Sequence, residues 1–168
     1  MRIGGHMLIV YTGNGKGKTT AAVGLAVRAA GAGKAVEVFK FMKGRESSED
    51  RALESIGIKV HRLGRQAFVN LRDPSEADRK LALEGLEMMA KSNADVIIAD
   101  ELNVAAGYGL VTVKDALEAI RSLGNRVVVS TGRNAPEEFI NEASIATEMR
   151  EIKHHFNDGV PAIRGIDF

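Results

Sequence analysis

Residues 7–20 read Met-Leu-Ile-Val-Tyr-Thr-Gly-Asn-Gly-Lys-Gly-Lys-Thr-Thr. The first six form a short, almost wholly apolar run, the length of a buried strand rather than a helix. It runs directly into Gly13, Gly15 and Gly17, which free the backbone to turn tightly. Residues 19–30 are then rich in Ala, broken only by Gly24, and end at Gly31 and Gly33, as a helix does. A buried strand, a glycine loop and a helix in that order make a phosphate cradle. The loop N–H groups turn inward, and the helix adds the positive end of its dipole. Lys18 supplies a point charge to phosphate oxygens and Thr19 a hydroxyl to a magnesium ion. Lys16 adds a second cation, useful where a whole triphosphate must be neutralised. The usual spacing is GxxxxGK(S/T); Gly17, Lys18 and Thr19 match it, while Thr12 stands where the first glycine belongs. The ligands expected here are Thr12, Gly13, Asn14, Gly15, Lys16, Gly17, Lys18, Thr19 and Thr20.

Strand and helix patterns alternate along the rest of the chain. Strands are expected at 35–42, 58–61, 95–100, 126–131 and 145–152. Helices are expected at 48–56, from Pro74-Ser75-Glu76 onward, at 113–123 and at 136–142. Residues 63–74 and 102–110 read as loops and 153–168 as an irregular tail. Apolar strands alternating with helices demand a sheet covered on both faces. The expected fold is α/β: a single-domain P-loop NTPase (RecA-like) of three layers, with a mostly parallel central sheet, occupying residues 1–168. Gly5-His6-Met7 has the form of an expression scar, so nothing is drawn from residues 1–6.

Composition narrows the function. The chain has no cysteine, which removes disulfides, thiolate metal sites and cysteine nucleophiles. A formal net charge of +1 argues against a nucleic-acid partner, which favours a strong basic excess. No apolar run approaches the roughly 20 residues that span a bilayer, and no signal-peptide layout is present, so the expected compartment is the cytoplasm, away from membranes.

Two further strand ends carry chemistry. Val96-Ile-Ile-Ala-Asp100-Glu101 places two carboxylates at the end of a buried strand, where a P-loop protein holds magnesium directly or through water. The pair leaves open which carboxylate meets the metal and which polarises a water. Ser130-Thr-Gly-Arg133 ends another strand, and ligands of parallel sheets bind outside such ends. Arg133 can thus reach a phosphate. Near the C-terminus stand Glu148, Arg150, Lys153, His154 and His155; adjacent histidines point apart and suit a metal poorly.

These motifs line up in order with one family. The loop of residues 12–20, Asp-Glu-Leu-Asn at 100–103, Tyr108-Gly109, Thr-Gly-Arg at 131–133 with Ala135-Pro136-Glu137-Glu138, Thr-Glu-Met-Arg at 147–150, Lys153-His154, Phe156, Gly159 and the terminal Gly-Ile-Asp-Phe together resemble the P-loop ATP:corrinoid adenosyltransferases. The resemblance runs from about Leu8 to Phe168. It implies that Co(I) of a reduced corrinoid attacks the 5′ carbon of ATP and expels triphosphate, in adenosylcobalamin biosynthesis or corrinoid salvage. It implies ATP held in reversed orientation, with Asn14 to Thr20 on the phosphates, Thr19 and Glu101 on Mg2+ with Asp100 in support, and Arg133 near the nucleotide. Lys18, Thr19 and Glu101 are the expected catalytic residues. An electron-donating reductase and a homodimer are implied as partners.

The corrinoid side is expected at Phe68, Val69, Asn103, Arg150 and His154. Relatives carry an aromatic segment that packs on the corrin and displaces its lower ligand. Here that stretch is Gly64-Arg-Gln-Ala-Phe68-Val-Asn-Leu71, and the chain has no Trp. Phe68 fills one aromatic role, and a second is absent or replaced by Val69 or Leu71; the plainer alternative for Phe68 is packing under a loop. An N-terminal extension that covers the site in many relatives has no counterpart here, so a lid is expected from elsewhere or from a dimer partner, or is missing. Two other readings compete. A small P-loop ATPase or kinase would use Glu101 to orient water and would yield ADP and phosphate. A carrier would bind nucleotide or corrinoid without turnover.

Overall fold

The computed structural model describes residues 6–167. Most of the expression-scar stretch, residues 1–5, and the terminal Phe168 of the family motif lie outside the described residues. Six strands form one sheet: β1 (Met7–Thr12), β2 (Val36–Phe41), β3 (Lys59–Leu63), β4 (Val96–Asp100), β5 (Val127–Thr131) and β6 (Ile145–Glu148). Their order is β3-β2-β4-β5-β1-β6, and every pairing is parallel. The expected mostly parallel sheet is therefore parallel throughout.

The helices among the described residues are α1 (Lys18–Gly31), α2 (Ser48–Ser55), α3 (Glu76–Ala90), α4 (Leu102–Gly107), α5 (Val113–Ser122) and α6 (Glu137–Glu142), with a 3-10 turn at His155–Asp158. Side chains alternate across a strand, and the sheet uses both sides. Leu8, Val10, Phe39, Phe41, Ile97, Ala99 and Val128 join α3, α4, α5 and α6 in one buried cluster. Their neighbours Ile9, Val36, Val38, Val96, Ile98 and Val129 join α1 and α2 in the other. That gives three layers, as the near-continuous apolar strands required.

Two local expectations change. Within residues 102–110, read as a loop or broken turn, Leu102–Gly107 form a short helix, because Leu102, Val104, Ala105 and Ala106 are all buried. The last strand stops at Glu148 instead of running to residue 152. It is an edge strand paired only with β1, and Met149 leaves the ladder to cross the glycine loop.

Beside α1, a buried charge cluster fixes the start of α2. The Lys40 ammonium, 1% exposed, donates to Asp50 Oδ1 at 2.6 Å and Glu49 Oε1 at 2.9 Å. Asp50 also accepts from Arg62 Nε at 2.9 Å and from the Ser47 N–H that caps the helix. A buried lysine needs such partners, since an unpaired buried charge is strongly destabilising.

Candidate active site

The strands β1, β2, β4 and β5 all end on the same side of the sheet, where connections leave room for ligands. A cavity of about 830 Å³ opens there. Asn14 to Thr20 line it, as do Glu101, Arg133 and His154, so the structure brings these expected residues into one space. Thr12 and Gly13 sit just below. Thr12 Oγ1 accepts the Ala135 N–H at 3.1 Å, which ties the loop to the segment after β5.

The glycines of the loop answer to more than phosphate. Gly13 has φ +95°, and a Cβ there would lie 2.4 Å from the Met149 carbonyl oxygen. On Gly15 a Cβ would lie 2.7 Å from the same oxygen. The Gly15 N–H donates to Met149 O at 2.7 Å. One amide expected to face phosphate is thus spent on the chain that follows β6. The α1 N-terminus still opens on the cavity, with Gly17 as its cap at φ 119°. Lys18 Nζ donates to the Gly15 carbonyl at 2.7 Å. Burial, and then the Arg133 guanidinium, push its ammonium below the ordinary value.

The two carboxylates separate cleanly. Asp100 is 1% exposed. Its Oδ1 accepts from Thr19 Oγ1 at 2.8 Å and Thr131 Oγ1 at 2.7 Å, and its Oδ2 from Lys43 Nζ at 2.7 Å. Burial alone would raise its pKa; the Lys43 charge and these donors outweigh that and hold the carboxyl below its usual range. Glu101 instead faces the cavity. Its φ of 63° is left-handed, an uncommon conformation for a side-chain-bearing residue. Its N–H donates to Thr131 Oγ1 at 3.1 Å, which supports that turn. Burial, and then the adjacent Asp100 charge, push the Glu101 carboxyl up. Met42 (φ 62°) and Asn134 (φ 51°) are the other side-chain-bearing residues with positive φ among the described residues. Each follows a strand that ends at the site. Such conformations cost on the order of 1–3 kcal/mol and gather at functional sites.

Lys43 was missed in the sequence. It lines the cavity, and its Nζ lies 3.9 Å from Glu101 Oε1. Burial alone would lower its pKa, but the Asp100 and Glu101 charges raise it overall. Applying the strand-end rule to β2, as was done for β4 and β5, would have found it. Ser48, Glu49, Val104 and Tyr108 also line the cavity, and so does the tail at Gly165, Ile166 and Asp167.

The residues expected on the corrinoid side divide. His154 lines the cavity. Phe68 does not: it is 93% exposed, with Arg45 over its ring at 5.9 Å, so it does not pack in the core under its loop. Val69 packs into the core cluster, and Leu71 reaches the cavity wall. The Arg150 side chain is exposed, and its backbone abuts Gly15 instead. Asn103 is fully buried. Its Nδ2 donates to Tyr11 O at 3.0 Å and Gly132 O at 3.1 Å, and its Oδ1 accepts from Ser130 Oγ. With every polar atom committed, it braces β1 against β5 rather than facing the cavity.

Comparison with known proteins agrees with this arrangement. A search of solved structures finds the flagellar accessory protein FlaH from Methanocaldococcus jannaschii at a TM-score of 0.55 and 14% identity, covering 86% of this chain and 70% of that one. That likeness concerns the fold. Corrinoid adenosyltransferase CobA of Salmonella typhimurium is 35% identical over 168 residues, spanning 96% of this chain and 85% of the relative. The corrinoid adenosyltransferase of Pseudomonas aeruginosa is 32% identical, spanning 96% and 83%. A family model described as ATP:corrinoid adenosyltransferase BtuR/CobO/CobP matches residues 5–168. On a match across nearly its whole length, the chain belongs to the ATP:corrinoid adenosyltransferase BtuR/CobO/CobP family.

Proposed function

We infer that this corrinoid adenosyltransferase works in the cavity beyond β1, β2, β4 and β5, with the triphosphate of ATP in the loop of residues 12–20. The carrying observation is the shared lining: Lys16, Lys18, Lys43 and Arg133 face one space with Glu101, beside the apolar or aromatic Met42, Leu71, Val104 and Tyr108. The cationic part suits phosphates. The apolar part suits a nucleoside and the face of a corrin.

The Co(I) electron pair forms a bond to the 5′ carbon as the carbon–oxygen bond breaks, and triphosphate leaves with that bond's electrons. No proton moves, so no general base is needed, and none of the residues here has to be one. What the chain must supply is position and stabilisation of the leaving charge. Lys16, Lys18 and Arg133 take the phosphate oxygens. Asp100, saturated by Thr19, Thr131 and Lys43, fixes the Thr19 hydroxyl without meeting the ligand itself.

Thr19 and Glu101 would hold Mg2+, with Asp100 behind Thr19. The residues fit that ion: the donors are oxygens, and Mg2+ keeps waters and phosphate oxygens among its ligands. Among the described residues no three His, Asp or Glu side chains converge as a dedicated cage. When bound, the ion would spread the charge of the triphosphate. Phosphoryl transfer to water or another acceptor, the alternative that the Asp100-Glu101 pair suggested, gives way to the family assignment. The reading also includes a reductase that supplies Co(I) and a homodimeric enzyme.

The test is an anaerobic assay with ATP and reduced cobalamin or cobinamide. The cobalt spectrum and the phosphate product are followed together. Loss of Co(I) with one triphosphate released per alkylated cobalt is expected; ADP and phosphate in place of triphosphate would reject the mechanism.

A further inference from the structure

The last described residues return to the glycine loop. Gly165, Ile166 and Asp167 line the same cavity as Asn14 to Thr20. Asp167 Oδ1 lies 2.9 Å from Lys16 Nζ, with the Asp167 side chain 13% exposed. Its Oδ2 accepts the Ile163 N–H at 2.8 Å, and its own N–H donates to Ile163 O at 2.8 Å, which closes the tail into a tight turn. His155 Nε2, buried and without a hydrogen-bond partner among the described residues, lies 3.3 Å from the same Oδ2. The Ile163 N–H, and then Lys16, hold the Asp167 carboxyl down at about 2, so it is anionic wherever the enzyme works.

A fixed anion in the wall of a cavity that takes a triphosphate is otherwise unexplained. Carboxylate and phosphate oxygens want the same ammonium, and like charges at that distance repel. The inorganic triphosphate product poses a second problem. It keeps every contact that held the phosphates of ATP, so the groups that stabilise it as a leaving group also slow its departure.

We propose that Asp167 is a further functional residue of this reaction: an internal anion that holds Lys16 until a polyphosphate displaces it, and that reclaims Lys16 to release triphosphate. The proposal rests on the reading of the cavity as the triphosphate site of ATP. It also makes the C-terminal tail one cover of the site. Ligand binding exchanges the Asp167–Lys16 pair for a phosphate–Lys16 pair, and the tail moves aside by breaking that partly exposed ion pair.

Calorimetric titration of the full chain with inorganic triphosphate and with adenosine tests this, using wild type, Asp167→Asn, Lys16→Ala and the double variant. Asn keeps the size of the side chain and still accepts the Ile163 N–H, so only charge is removed. Asp167→Asn is expected to bind triphosphate about three- to tenfold more tightly, the scale of a partly exposed ion pair. In the Lys16→Ala background the same change should have a smaller effect, because the contested cation is gone and only the repulsion between like charges is relieved. Adenosine, which carries no phosphate, should bind all four alike. Triphosphate binding by Asp167→Asn that equals or falls below wild type overturns the proposal and leaves the triphosphate site standing. No triphosphate binding by wild type overturns both.

Discussion

At one end of the cavity the facing side chains are held by buried partners. Asp100 accepts three side-chain donors, and Asn103 ties β1 to β5 through three hydrogen bonds. Away from the cavity lining, in the segment we assign to the corrinoid, Phe68 stands in solvent, and its loop is fastened by the exposed side chains of Arg45 and Arg65. Arg45 donates to Gln66 O at 2.8 Å. Arg65 grips Asp78, at the start of α3, with Nε–Oδ1 2.7 Å and a second bond of 2.8 Å. The difference suits the chemistry. Charge stabilisation needs dipoles that do not reorganise, whereas a large ring must be admitted by something that yields.

The sharpest way to break this contrast is at Lys18. Replacing it with Ala is expected to lower turnover about 100- to 1,000-fold, the usual effect of removing one leaving-group donor. Triphosphate release under saturating ATP measures it, and activity within twofold of wild type would deny the residue its role. Asn103→Ala comes next. It leaves the buried Gly132 carbonyl and the Ser130 hydroxyl without their Asn103 partner and takes one of two donors from the Tyr11 carbonyl, so unfolding in denaturant should be easier by about 2 kcal/mol. A raised corrinoid KM with unchanged stability would return Asn103 to the corrinoid side. Phe68→Ala should leave stability within about 0.5 kcal/mol, as exposed substitutions do. It should slow transfer to cobalamin, which has a lower ligand to displace, more than to cobinamide. Equal losses on both would remove Phe68 from the corrinoid set.

The smallest effect concerns pH at the loop anchor. Arg65, ahead of the opposing effect of burial, depresses the Asp78 carboxyl from 3.8 to about 2. A depressed carboxylate stabilises the fold fully above its unfolded value and loses that contribution as pH falls from 3.8 toward about 2. Asp78→Asn should therefore flatten the stability curve in that acid window. An unchanged slope there would show the Arg65–Asp78 pair to be inert.

The same contrast explains what could be read in advance. Gly17-Lys18-Thr19 and Asp100-Glu101 are local: strand, loop and charge occur within a few residues, so their chemistry shows in one stretch. Lys43 was equally local and was overlooked at its own strand end. The Met149 crossing was not legible, because nothing near Gly13 or Gly15 announces a backbone arriving from more than 130 residues away. Asp167 on Lys16 hid for the same reason. Residues 102–110 misled differently. They read as a loop or broken turn, while the burial of Leu102, Ala105 and Ala106 decided for a helix over Leu102–Gly107. Asn103, beside a carboxylate pair, looked like a ligand residue; only the fold reveals that β1 and β5 use up its amide.

The central claim is that the glycine loop holds the phosphates while the 5′ carbon turns toward the apolar side of the cavity. A crystal structure of the enzyme with Mg2+ and ATP tests it directly. The account predicts phosphates against Gly15 to Thr20, Glu101 at the metal, and the ribose 5′ carbon facing the space beside Leu71 and Tyr108. A nucleotide whose γ-phosphate faces that space, with its ribose turned away, would contradict it.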